Sequence, residues 1–267
     1  MITYVIARMR DEFECCDFEP KAFELAIGNG DDNEPVKSQV IELADGGTIQ
    51  IKGYIDRVDT FVEDGVQYVR VVDYKSGIKK FRLSDILSGL NLQMFVYLFT
   101  LCKSNHELSG TQAGVLYLHS SRSIYNVSRG NSTNEINDGD NKAYKMPGVV
   151  LNDDEHQIAQ HMEHDLNGRF IDVKCTAKNG ISGSIVSLED MGRISRKIDS
   201  LIEQMGMDLH MGKILQNPVN SPTHSNTCEN CDYSAVCANK KEIVLKELDE
   251  PSFNDVLKIL KEDEENA

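Results

Sequence analysis

Apolar residues open the chain at helical spacing. Ile2, Val5, Ile6, Met9, Phe13 and Cys16 fall on one stripe, which predicts an amphipathic helix over residues 2–16. The pattern then changes. Residues 40–43, 48–59 and 67–74 are rich in β-branched side chains and are separated by Asp45-Gly46-Gly47 and Glu63-Asp64-Gly65, sequences that favour turns. These runs predict an antiparallel three-stranded meander. Ser84 is placed as an N-cap, and Ile86, Leu87, Leu90, Gln93, Met94, Tyr97, Leu98 and Leu101 follow it at helical spacing, predicting one helix over 84–103. Residues 113–119 read as a buried strand, the Ser-, Asn-, Gly- and Asp-rich stretch at about 120–145 as a mobile loop, and 153–166 and 187–211 as further helices. The order of elements describes an α/β core, a mixed β-sheet flanked by helices. The expected division is an N-terminal helix over 1–17, a core over 18–215 and a terminal segment over 216–267.

Composition narrows the classes. A chain of 267 residues with 40% hydrophobic content can bury a full core. It contains no run near the roughly 18 apolar residues that a membrane span needs, and its first residues lack a signal-peptide pattern. A cytoplasmic protein with no membrane partner is the expectation. The net charge of -15 argues against holding nucleic acid by bulk electrostatics. Part of that acidity sits in Lys261-Glu262-Asp263-Glu264-Glu265, which reads as a solvated tail, while Lys75, Lys79, Lys80 and Arg82 make a local basic run. No Walker-type phosphate loop and no dinucleotide fingerprint is present, so ATP chemistry would lie outside this chain.

The chemistry concentrates in two strands. Gly53-Tyr54-Ile55-Asp56-Arg57-Val58-Asp59 is followed by Val71-Val72-Asp73-Tyr74-Lys75-Ser76-Gly77. If the strands pair through the turn near Asp64, Asp56 and Asp73 come together, and two adjacent carboxylates repel unless a cation lies between them. Oxygen ligands and a phosphoryl substrate favour Mg²⁺ or Mn²⁺, with the Tyr74 carbonyl as a further ligand. Lys75 lies two residues beyond Asp73, on the same strand face, where its ammonium can stabilise negative charge developing on a phosphate. Asp73 also ends an apolar run, where a carboxylate needs a partner. Gln93 and Tyr97 add an i, i+4 pair on one helix face.

These residues resemble the RecB-like nucleases of the PD-(D/E)xK superfamily, and within them the C-terminal nuclease domain of the AddB (RexB) component of the AddAB (RexAB) helicase-exonucleases. The resemblance rests on residues 53–59, on Asp73-Tyr74-Lys75-Ser76-Gly77, on Gly89-Leu90-Asn91-Leu92-Gln93-Met94-Phe95-Val96-Tyr97 and on the segment from Cys228 to Cys237. It implies a nuclease that trims DNA ends in double-strand break repair, with the helicase-nuclease partner subunit of that complex supplying the motor. Asp56 and Asp73 would hold the metal, Lys75 would stand at the water, and Gln93 and Tyr97 would lie near the substrate. It also implies that the chain is part of a longer protein with a helicase-like region upstream. The alternative is a catalytically silent DNA-binding or scaffold module with the same fold.

The seven cysteines, an odd number without a secretion signal, favour thiols or metal ligands over disulfides. Cys228, Cys231 and Cys237 supply three thiolates, one short of a four-sulfur site. The family resemblance implies a [4Fe-4S] cluster completed by a distant upstream cysteine, a pattern incomplete or absent in this chain. Cys15 or Cys16 could substitute but reads better as buried, and zinc is the rival metal. Cys102 and Cys175 read as ordinary thiols. His156, His161 and His164 read as a solvated helix face, and His119 as a satisfied strand-end histidine. Among Glu12, Glu14 and Glu24, no feature of the sequence singles out a further carboxylate for the metal.

Overall fold

Val69, Val71 and Val72 are completely buried in succession, which requires cover on both faces of the strand that carries them. In the computed structural model, which describes residues 2–28, 36–38, 40–77, 80–120, 144–153, 157–178, 180–213, 218–220, 228, 231–237 and 245–266, that strand lies inside a six-stranded mixed sheet. The strands in chain order are β1 (Glu19–Ile27), β2 (Val40–Glu42), β3 (Thr48–Gln50), β4 (Gly53–Glu63), β5 (Val66–Lys75), β6 (Thr111–His119), β7 (Gly148–Leu151), β8 (Val173–Thr176), β9 (Gly180–Gly183), β10 (Ile185–Val186), β11 (Val219–Asn220) and β12 (Lys246–Glu247). The main sheet has the order β1-β4-β5-β6-β7-β10, with β5/β6 and β7/β10 parallel and the other pairs antiparallel.

The helices are α1 (Ile2–Phe13), α2 (Gln93–Cys102), α3 (Ile158–Met162), α4 (Leu188–His210) and α5 (Phe253–Glu265), with a 3₁₀ turn at Leu83–Ser88. Adjacent strand residues point to opposite faces, and the two cores follow that rule. Val71 packs with Phe95 and Leu98 of α2, Ile194 of α4 and Leu260 of α5. Val72 packs with Phe18, with Ile158 and Met162 of α3, and with Met9 of α1.

The meander differs from expectation at its first strand. Residues 40–42 pair only with 48–50, in a separate two-stranded sheet, and the expected run 48–59 is interrupted at 51–52. The neighbour of β4 is instead β1, which no sequence pattern marks. Its composition explains why. Pro20 and several charged residues suit an edge strand, and a register shift between Pro20 and Ala22 together with Glu24 at φ 51 breaks the alternation.

The expected helix over 84–103 is also divided. Gly89 (φ 74) and Asn91 (φ 52) turn the chain left-handed, so the 3₁₀ turn ends there and α2 begins at Gln93. Ser84 is buried inside the 3₁₀ turn; Arg82 occupies its cap position, without a side-chain capping bond. In the 153–166 region the described helix is only Ile158–Met162, while α4 matches 187–211 closely and starts with a capping box between Ser187 and Asp190. Residues 261–265, expected as a solvated tail, belong to α5, which buries Val256 and Leu260. Arg193 and Lys197 of α4 pair with Glu264 and Asp263. The expected mobile loop lies largely outside the described residues, as does His156.

Beneath α1 the sheet carries buried charge. Glu12 accepts from Arg70 at 2.6 Å, and Asp59 accepts from both Arg70 (2.8 Å) and Arg57 (2.9 Å). None of the four is more than 2% exposed. Burial lowers the Arg70 guanidinium, but Cys16, Asp59 and Glu12 outweigh it and hold the group well above its ordinary value. This network ties α1 to β4 and β5 directly behind the ends of those strands.

Candidate active site

Asp56 and Asp73 converge at the ends of β4 and β5. Arg57 pairs with Val72, and one step further along both strands sets Asp56 against Asp73. The Tyr74 backbone N–H donates to Asp56 Oδ2 at 2.8 Å, which fixes that carboxylate beside the turn out of β5. Asp73 is 4% exposed. Lys75 Nζ stands 2.5 Å from Asp73 Oδ2, yet outside hydrogen-bond geometry, so this buried oxygen has an ionic neighbour and no hydrogen-bond donor. A buried carboxylate oxygen without a donor is costly. A divalent cation shared with Asp56 would satisfy it, and oxygen donors of this kind suit Mg²⁺ or Mn²⁺.

The backbone re-aims Asp56. Phe23 pairs with Arg57 and Leu25 with Ile55, leaving Glu24 and Asp56 facing each other in the gap between those pairs. Glu24 is left-handed at φ 51. Ile55 and Val58 point into the same core although they are three residues apart, so strict alternation fails across Asp56 and Arg57. Local irregularities of this kind redirect side chains next to functional sites. Glu24, Asp56 and Asp73 thereby form a row across three neighbouring strands. The sequence alone sets Glu24 level with Glu12 and Glu14; the pairing separates them. Glu12 is engaged with Arg70, and Glu14 is exposed on the helix surface near Arg10.

Gln93 and Tyr97 meet as expected from their spacing, with Gln93 Nε2 donating to the Tyr97 hydroxyl at 3.2 Å. The hydroxyl rests on Gly53, where a Cβ would come within 2.2 Å of it. The pair therefore caps the start of β4, three residues ahead of Asp56. On the other side, β6 places Tyr117 beside Asp73 and His119 beside Lys75. Burial pushes the Tyr117 phenol up to about 12, and Asp73 and Asp85 add to the effect. His119 is buried, with Nδ1 at 3.1 Å from the Gly77 carbonyl.

Other candidates lie elsewhere. His161 and His164 contact Asp17 at 2.7 and 3.0 Å, and His161 lies 3.5 Å from Glu63, at the end of β4 opposite Asp56. Cys16 is buried and accepts from the Phe18 N–H at 3.3 Å, and burial pushes its thiol up; Cys15 is half-buried. Burial also pushes the Cys102 thiol up to about 12, while Cys175 is exposed. Cys231 is exposed and Cys228 and Cys237 are half-buried. Among the described residues, no three His, Cys, Asp or Glu side chains converge on one cation position. The three cysteines thus do not fit a preformed cluster site in this structure. Also among the described residues, no helix is long and apolar enough to cross a membrane.

Comparison with known proteins agrees with this geometry. Residues 2–238 match the family model of the PD-(D/E)XK nuclease superfamily. The chain is 32% identical to the B component of the ATP-dependent helicase/deoxyribonuclease of Clostridium kluyveri, over 87% of its own length and 21% of that protein. It is 28% identical to the corresponding protein of Ruminiclostridium cellulolyticum and 29% to that of Clostridioides difficile, in each case over 98% of this chain and 23% of the relative. The chain spans about a fifth of the length of these relatives.

Proposed function

The chain belongs to the PD-(D/E)XK nuclease superfamily, and on that premise we propose that it hydrolyses DNA phosphodiester bonds at a divalent cation held by Asp56 and Asp73. The observation that carries this reading is the buried Asp73 oxygen without a hydrogen-bond donor, beside the Lys75 ammonium and across the strand pair from Asp56. Asp56, Asp73 and the Tyr74 carbonyl are the oxygens that would hold Mg²⁺ or Mn²⁺. When bound, the cation would polarise the scissile phosphate and activate water.

The chain's own groups do the rest. Tyr74 keeps Asp56 in place through its N–H. Lys75 places a positive charge where negative charge grows on the phosphate. Gln93 and Tyr97 present an amide and a hydroxyl from α2 towards the DNA backbone, steadied by their mutual hydrogen bond. In this proposal the chain is the exonuclease part of a cytoplasmic helicase-nuclease that acts with a motor partner on DNA ends in double-strand break repair. The names of the relatives support that context.

Titration of the chain with Mg²⁺ against end-labelled linear DNA tests the reading. Cleavage that requires Mg²⁺ and is lost in Asp73→Ala is the expected result. DNA binding without cleavage at any Mg²⁺ or protein concentration would instead make this a scaffold module, in keeping with its charge of -15.

A further inference from the structure

Lys75 carries a long side chain with a freely rotating stem, and an ammonium that acts in a reaction must be held in one place. Two constraints hold the backbone beneath it. The Ser120 N–H and hydroxyl both donate to the Lys75 carbonyl, at 2.9 and 3.1 Å, and His119 Nδ1 donates to the Gly77 carbonyl at 3.1 Å. The ammonium itself meets Asp73 on one side, at 2.5 Å. On another it stands 5.6 Å from the centre of the Tyr117 ring.

That ring is fixed by its surroundings. Tyr117 is 3% exposed and pairs with Asp73 across β5/β6. Its ring packs on Phe81 with centroids 6.1 Å apart, and Phe81 packs on Phe95 of α2 at 6.2 Å. An aromatic face at this distance attracts a cation through its quadrupole.

We infer that Tyr117 is a positioning residue for the nuclease reaction, its ring face seating the Lys75 ammonium against Asp73. The inference rests on the proposed nuclease function and adds a residue to it. Tyr117 acts through Lys75 and does not contact the scissile phosphate. The attraction belongs to the ring and not to the hydroxyl, so removing the hydroxyl alone leaves it in place.

The test uses the whole chain as Tyr117→Phe, as Tyr117→Leu and with pentafluorophenylalanine at position 117, whose ring keeps its outline but presents an electron-poor face. Two quantities are read: kcat and KM for Mg²⁺-dependent cleavage, and the rate at which acetic anhydride acetylates Lys75 in the absence of DNA and metal, followed by mass spectrometry. Tyr117→Phe is expected to keep kcat within about twofold of the parent. Against Tyr117→Phe, the fluorinated chain is expected to lose about tenfold in kcat at unchanged KM and thermal midpoint, with Lys75 acetylated several times faster. Tyr117→Leu is expected to move both readouts the same way, and decides the matter if the fluorinated chain does not fold. Equal kcat and equal acetylation across the folded variants would overturn the seat. Faster acetylation in chains that never cleave DNA would leave the seat standing and overturn the nuclease reading.

Discussion

Gly53 shows how closely the groups around Asp56 are fitted. A methyl group at that position would come within 2.2 Å of the Tyr97 hydroxyl and 2.8 Å of the ring carbon that bears it. Gly53→Ala is therefore expected to lower stability by about 1–3 kcal/mol in urea unfolding. Tyr97→Phe in the same chain should recover part of that loss, and no recovery would show that the strain lies elsewhere. Glu24 is a different case, since its carboxylate is exposed and takes no part in the core. Glu24→Gln should raise the Mg²⁺ concentration needed for half-maximal cleavage while leaving the thermal midpoint in place; an unchanged Mg²⁺ requirement would remove Glu24 from the site. The contrast between Glu24 and Asp73 shows what a sequence can reveal. Asp73 and Lys75 share a strand, so their spacing alone sets them on one face. Glu24 joins the row only through pairing across an irregular strand, and its left-handed backbone leaves no mark in the residue pattern.

At the scale of elements, the site depends on the alignment of β4 with β5, and the buried Glu12, Arg57, Asp59 and Arg70 network secures that alignment from behind. Removing one member leaves its partners charged and buried. Arg70→Met is thus expected to cost about 3–5 kcal/mol, whereas Arg10→Met, on the exposed surface of α1, should leave the unfolding midpoint unchanged. A small effect at Arg70 would mean that water already reaches the network. Strands β4, β5 and β6 are legible in the sequence because apolar and β-branched residues dominate them. The edge strand β1 is not, because an edge tolerates Pro20 and charge. The division of the helix at Gly89 and Asn91 is equally hidden, since residues on both sides keep helical spacing while the break lies in backbone angles that an isolated Gly does not reveal.

For the molecule as a whole, the acidic end of the chain is part of the fold. Val256 and Leu260 of α5 enter the same core as Val71 and α2, so Leu260→Ala should cost about 2–5 kcal/mol. A loss below about half a kcal/mol would return this segment to the role of a tail. Its sequence suggests solvation because the charges dominate the pattern, and the two buried residues become significant only when α4 lies alongside. Whole-molecule charge also bears on substrate binding. With Lys75, Lys80 and Arg82 as the basic residues described near the site, the log of DNA affinity should fall against log salt with a slope of about -3. A slope steeper than about -6 would require a basic surface elsewhere. The central claim is that Asp56 and Asp73 share one cation beside Lys75, and the most direct measurement is anomalous diffraction from crystals of this chain soaked in Mn²⁺. The expected result is a peak within about 2.0–2.3 Å of a carboxylate oxygen from each residue. Full soaking with no peak between them, or a peak bound by only one, would contradict it.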